Sequence, residues 1–188
     1  IGIGARKTLD HGFTIERGRL NVASASVFRE DPVNLIRLFQ IADEHAVLLH
    51  PDLVQRTSRS LSQIDDELRA DPEANRLFLE IVASPRGPER DWRRKNETGV
   101  LGRFVPEFGH IVAMTQFSRY HHFTVDEHLL RTVGFVSELE HGRLGDDHPL
   151  SHEIFPTLEN RRVLYVAAFL HDIAKGKPED HSIAGAET

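Results

Sequence analysis

The residues best suited to chemistry lie near the end of the chain. Phe169-Leu-His-Asp-Ile-Ala-Lys-Gly176 follows the apolar run Val163-Leu-Tyr-Val-Ala-Ala-Phe-Leu170. A hydrophobic helix ending in adjacent His171 and Asp172 carries an imidazole nitrogen and a hard carboxylate oxygen toward the interior. That pair suits a divalent ion such as Mn, Fe or Zn, or Mg with waters completing its shell. Neighbours on a regular helix point about 100° apart, so both can grip one ion only where the helix is ending. Gly176 is placed to end it.

Two residues do not make a metal site, and the sequence offers two partners. Thr124 followed by Glu127 has the spacing of a capping box, which starts a helix at Val125 and puts His128 in its second turn. His181 follows a short polar loop after Pro178. Lys175 lies one turn beyond His171. It can neutralise charge on a phosphoryl group, or simply sit favourably near a helix C-terminus. Asp126 could orient an imidazole as an outer partner. His121 and His122, next to aromatics, suit structural roles better.

The order His128, His171-Asp172, His181 resembles the HD metal-dependent phosphohydrolase superfamily. A longer set of motifs narrows the resemblance. Arg93-Arg-Lys-Asn-Glu-Thr-Gly-Val-Leu-Gly-Arg-Phe-Val-Pro-Glu-Phe-Gly109, Tyr120-His121, Thr124-Val-Asp-Glu-His128, His171-Asp-Ile-Ala-Lys-Gly176 and Asp180-His-Ser182 together look like the bacterial bifunctional PII uridylyltransferase/uridylyl-removing enzymes. The resemblance runs from about Gly12 onward. Lys95 and His122 are atypical of it, and neither touches the proposed ligands.

The resemblance implies a metal site of His128, His171, Asp172 and His181, with Asp172 and Lys175 in catalytic roles and Mn or Mg as cofactor. It implies hydrolysis of a uridylyl group from a tyrosine of the PII signalling protein, releasing UMP, and use of UTP in the whole enzyme. Spacing and composition carry no preference for UMP or PII. The paired aspartates and Gly-Ser turn of a nucleotidyltransferase are not found before residue 120, so uridylyl transfer is not expected of this stretch alone. The second Asp that closes an HD site is expected beyond Thr188, which would leave the site short of a ligand and its metal weakly held.

Composition agrees with a soluble globular chain. Of 188 residues, 39% are hydrophobic and 28% charged, enough for a sizeable core. No apolar run reaches membrane-spanning length. Cysteine is absent, which excludes thiol chemistry and disulfides and fits a cytoplasmic location. A net charge of -6 argues against nucleic acid as partner. Nine of the twelve histidines follow Gly109, which marks the second half as the chemical half. His141, His148 and His152 are set apart as surface residues of a Gly-, Asp- and Pro-rich loop spanning 141–156.

The elements that must position the site read as helices. Phe13 to Val22 alternates around Arg17-Gly18, a hairpin signal and the one convincing β element. Asp31-Pro32 opens the first of three amphipathic helices and His50-Pro51 breaks it; the second runs from Leu53 to Leu68, and Asp71-Pro72 starts the third. Asn160 is placed to cap the last long helix. Arg86, Arg90, Arg93, Arg94 and Lys95 around Trp92 form a basic cluster diluted by Glu89, Asp91 and Glu97, hence a solvated helix face. Trp92 and the segment 99–109 are expected to pack the connecting helices against the metal-bearing half.

The expected fold is therefore all-α with one small hairpin. Residues 1–30 hold the hairpin, 31–117 form a helical connecting domain, and 118–188 form the N-terminal part of an HD domain. The rival functions are another HD-type nucleotide phosphohydrolase and a non-catalytic helical module that binds a partner protein.

Overall fold

The structure is a computed structural model and describes residues 6–84, 86, 98–112 and 124–175. Trp92 and all of its basic cluster but Arg86 lie outside the described residues, as do His121, His122 and His181. The chain divides into two compact units, Ile1–Ile81 with Arg94–Phe104, and Val82–Arg93 with Val105–Thr188. It is mostly helical, with a small sheet near the N-terminus.

The first unit opens on the expected hairpin. Strands β2 (Phe13–Glu16) and β3 (Arg19–Val22) pair antiparallel, Phe13 opposite Val22 and Glu16 opposite Arg19. Arg17 and Gly18 take positive φ values of 51° and 71°, the left-handed pair that a two-residue hairpin turn demands. Two strands of two residues extend the pair to a four-stranded sheet. β1 (Lys7–Thr8) joins β2 antiparallel, and β4 (Leu48–Leu49) joins β3 in parallel. Strands this short carry no readable alternation, which is why the sequence announces only the hairpin.

Helix α1 (Val27–Glu30) leads to α2 (Asn34–Glu44), whose Leu35, Ile36, Leu38, Phe39 and Ile41 are buried. The Asp31 carboxylate accepts from the Val33 N–H at 3.1 Å, and its other oxygen lies 2.7 Å from the buried Arg37. Helix α3 (Pro51–Arg59) starts at Pro51 itself, two residues before the expected Leu53. The expected single second helix is broken, however. Ser60 leaves helical geometry, Leu61–Gln63 forms a 3-10 turn, and Asp65 caps a new helix α4 (Asp66–Ala70) by accepting from the Leu68 N–H at 3.0 Å. A side-chain acceptor at Asp65 gives the backbone a local alternative to continuing the helix. Asp71 caps α5 (Pro72–Val82) through the Ala74 N–H at 2.8 Å. Gly99, at φ 80°, precedes a short helix α6 (Val100–Phe104). Phe104 lies 5.1 Å from Phe78, and the Arg69 guanidinium holds the Arg103 carbonyl.

The second unit is wholly helical among its described residues. Helix α7 (Pro106–Ile111) buries Phe108 and Ile111. Helix α8 (Val125–Glu140) buries Leu129, Val133 and Val136 at helical spacing. It begins where Thr124 predicts, but the Thr124 side chain makes no capping hydrogen bond. The stretch expected to be only a surface loop contains helix α9 (Pro149–Ile154) and a 3-10 turn at Phe155–Thr157. Pro149 opens that helix and buried Phe155 anchors its end; turn-forming composition masked both. Helix α10 (Arg161–Leu170) buries Tyr165, Ala168 and Phe169. Asn160 precedes it without a side-chain capping bond.

Helices α8 and α10 are tied together at one end. The Glu140 carboxylate receives Arg161 Nε, Arg161 Nη2 at 2.6 Å and the Tyr165 hydroxyl at 2.6 Å. Arg161 Nη1 donates to the Ala83 carbonyl at 2.9 Å. Burial pushes the Glu140 carboxyl up, but Arg161 and Tyr165 outweigh it and hold it below the usual carboxylate range. Burial and Glu140 push the Tyr165 hydroxyl up to about 12. A carboxylate with a depressed folded pKa stabilises fully above its unfolded pKa, and loses that contribution as pH falls through the folded value. Glu140→Gln should therefore lower the urea midpoint at pH 7, with the deficit shrinking below about pH 4. An equal deficit at both pH values contradicts the assignment.

Candidate metal centre

The site sits at the other end of the α8–α10 pair. His128 is in the second turn of α8. His171 is the residue at which α10 ends, and Asp172 begins the turn that follows. The helix thus stops at Leu170, one residue before the pair. His171 keeps helical angles, φ -57° and ψ -28°, and the two adjacent side chains still reach one point, Nε2 and Oδ2 lying 3.6 Å apart. Phe169, two residues before His171, is buried against Phe108 with ring centroids 5.3 Å apart, so the segment carrying the pair leaves a packed helix end.

His128 Nε2 lies 3.2 Å from His171 Nε2, and each lies 3.6 Å from Asp172 Oδ2. Three such atoms within 4.8 Å of one another form a set able to hold a metal ion. Ligand atoms about 2.1 Å from a common ion, at tetrahedral or octahedral angles, are about 3.0–3.4 Å apart. The observed separations are close to that triangle, so the donor set fits a divalent ion.

The tautomer also fits. The His171 ring presents Nδ1 to the Ala168 carbonyl at 2.8 Å. Nδ1 must be the donor there, which leaves Nε2 with its lone pair toward His128 and Asp172. Nothing in the sequence singles out Ala168, because the acceptor is its backbone oxygen.

Asp172 is 9% exposed. Burial pushes its carboxyl up, but the Lys175 ammonium, bonded to Oδ2 at 2.6 Å, and the two imidazoles hold it below the usual carboxylate range. Lys175 therefore faces the ligand set through Asp172, an arrangement that neither sequence reading of Lys175 described. Asp126 is buried. Glu127 lies 3.9 Å from Arg131 along the same helix. Of the four proposed ligands, three converge, and His181 lies outside the described residues.

Two family matches partition the chain in the same way as its chemistry. Residues 13–104 match the family described as the third domain of uridylyltransferase GlnD. Residues 125–188 match the HD domain, and the three converging side chains all fall inside that span. Together the two matches support a GlnD-type uridylyltransferase region with an HD domain. In this GlnD-type chain the HD match covers α8 and α10, the two helices that bring His128 to His171 and Asp172. HD domains typically depend on a divalent metal, and the His/His/Asp set is where this one could bind. Among the described residues, no helix of the GlnD-type chain is long and apolar enough to cross a membrane.

Proposed function

We propose that the chain carries the uridylyl-removing site of its family: metal-dependent hydrolysis of the bond between UMP and a tyrosine of the PII signalling protein. One observation carries the proposal. The His128, His171 and Asp172 donor atoms converge at ligand spacing inside the HD match. In this reading residues 118–188 are the HD part and 31–117 a connecting domain, in a cytoplasmic enzyme of nitrogen regulation.

A divalent ion, Mn or Mg with Fe or Zn as alternatives, supplies Lewis acidity toward a phosphoryl oxygen and an acidified water as nucleophile. The protein's own groups hold and orient. The Ala168 carbonyl fixes the His171 ring so that Nε2 would be free to hold the ion. Asp172 stays ionised and contributes the hard oxygen. Lys175, at the Asp172 carboxylate, is placed to face the negative charge of the phosphoryl group. His181 completes the set as a further ligand or a phosphate contact.

The substrate assignment is tested by supplying the enzyme with Mn and either uridylylated PII or free nucleotides. UMP release from the modified protein, with no phosphate release from the nucleotides, is the expected result. The reverse pattern would assign the site to a nucleotide phosphohydrolase.

A further inference from the structure

The outer face of the N-terminal sheet carries a groove that shares no residue with the metal centre. It has a volume of about 500 Å³ and is lined by Arg6, Thr14, Arg17, Arg19, Asn21 and His50, with Glu16 among them. Its size is within the range of small-molecule pockets. Three features suit it to an anion.

The first is uncompensated charge. Arg37, Arg69, Arg76, Arg143 and Arg161 each have a carboxylate partner. Among the described residues, Arg6, Arg17 and Arg19 have none within ion-pair distance; Arg19 has only the Leu49 carbonyl, 3.3 Å from Nη1. Three arginines line one groove of a chain whose net charge is -6. The second is a free hydroxyl. Thr14 lines the groove, and among the described residues no side-chain hydrogen bond holds its hydroxyl, which leaves it able to donate to a ligand oxygen.

The third is the polarity of the other groups. Asn21 uses its oxygen to accept from the Val22 N–H at 2.9 Å, which leaves its amide N–H groups as donors. His50 Nδ1 accepts from the Asp52 N–H at 3.2 Å, so Nε2 carries the ring proton. The lining is thus almost entirely donors, and phosphate oxygens are acceptors. Glu16, opposite Arg19 in register, is the exception and calls for a donor on the ligand.

We propose that this groove binds a small organic polyphosphate, its phosphate chain on Arg6, Arg17 and Arg19 and its hydroxyl or amino groups toward Glu16. The volume exceeds what one phosphate fills, and bidentate guanidinium–phosphate pairs give both affinity and orientation.

The test is calorimetric titration of the full chain with ATP and, separately, inorganic phosphate. EDTA is present, so that no metal-borne phosphate contact contributes. ATP should bind saturably at one site and inorganic phosphate at least about tenfold more weakly. Arg17→Asn with Arg19→Gln should weaken ATP binding roughly 10- to 100-fold; Asn is chosen at 17 because it tolerates positive φ. Thr14→Val, which leaves every arginine in place, should weaken it several-fold, so the proposal stands on a second variant if the first fails to fold. His171→Ala should bind ATP as the parent does, which separates this site from the metal centre. ATP affinity unchanged in the arginine and Thr14 variants overturns the proposal. So does inorganic phosphate binding as tightly as ATP, or no saturable ATP binding.

Discussion

Replacing Asp172 by Ala is expected to weaken Mn binding sharply and to slow metal-dependent hydrolysis on the order of a thousandfold. The magnitude follows from what a bound ion contributes, several kcal/mol of charge stabilisation in the transition state, at about 1.4 kcal/mol per tenfold in rate. The loss should be larger than that of any outer partner, for which about 10- to 100-fold is usual. Asp172 is the one carboxylate of the converging set, and its Oδ2 is the atom that both imidazoles approach at 3.6 Å. Among the described residues its removal leaves two imidazole nitrogens, a set too weak and too poorly charged for Mn or Mg. His171→Ala should behave similarly. Electron paramagnetic resonance of free against bound Mn reads the affinity directly. Near-parental Mn binding in Asp172→Ala would show that the ion sits elsewhere.

Phe169→Ala is expected to cost about 3–5 kcal/mol of stability. Phe169 is 2% exposed and stacks on the fully buried Phe108, so truncation leaves a cavity between two helices. The same change should weaken Mn binding, because His171 and Asp172 follow directly from that anchored helix end. Urea unfolding gives the first number and Mn titration the second. A stability loss below about 1 kcal/mol would mean that the helix end repacks freely.

The metal-bearing half was more legible than the first half of the chain. His171-Asp172 at the end of an apolar run carries both a chemical and a positional signal, and His128 follows a recognisable helix start. Those signals survive because ligand types are few and helix spacing is regular. What escaped reading was local. Ser60 and Asp65 break a helix that the apolar spacing from Leu53 to Leu68 carries straight through. Leu48 and Leu49 form a strand only because β3 offers its edge. Pro149 opens a short helix inside a stretch rich in turn residues. The capping roles expected of the Thr124 and Asn160 side chains are not realised, although both helices begin where those residues stand. The orientation of His171 depends on a backbone carbonyl, which no residue type can announce.

The ion-paired cluster at Glu140 has a mechanical consequence. Glu140 is the last residue of α8 and Arg161 the first of α10, while His128 and His171 lie toward the opposite ends of the same two helices. The pair therefore behaves as a clasp hinged at Glu140–Arg161 and fastened at His128–His171. Any ion bridging the two imidazoles works at the far end of the lever, where the smallest angular play gives the largest displacement. Amide exchange on metal removal should rise in the last turn of α10 and fade toward Arg161.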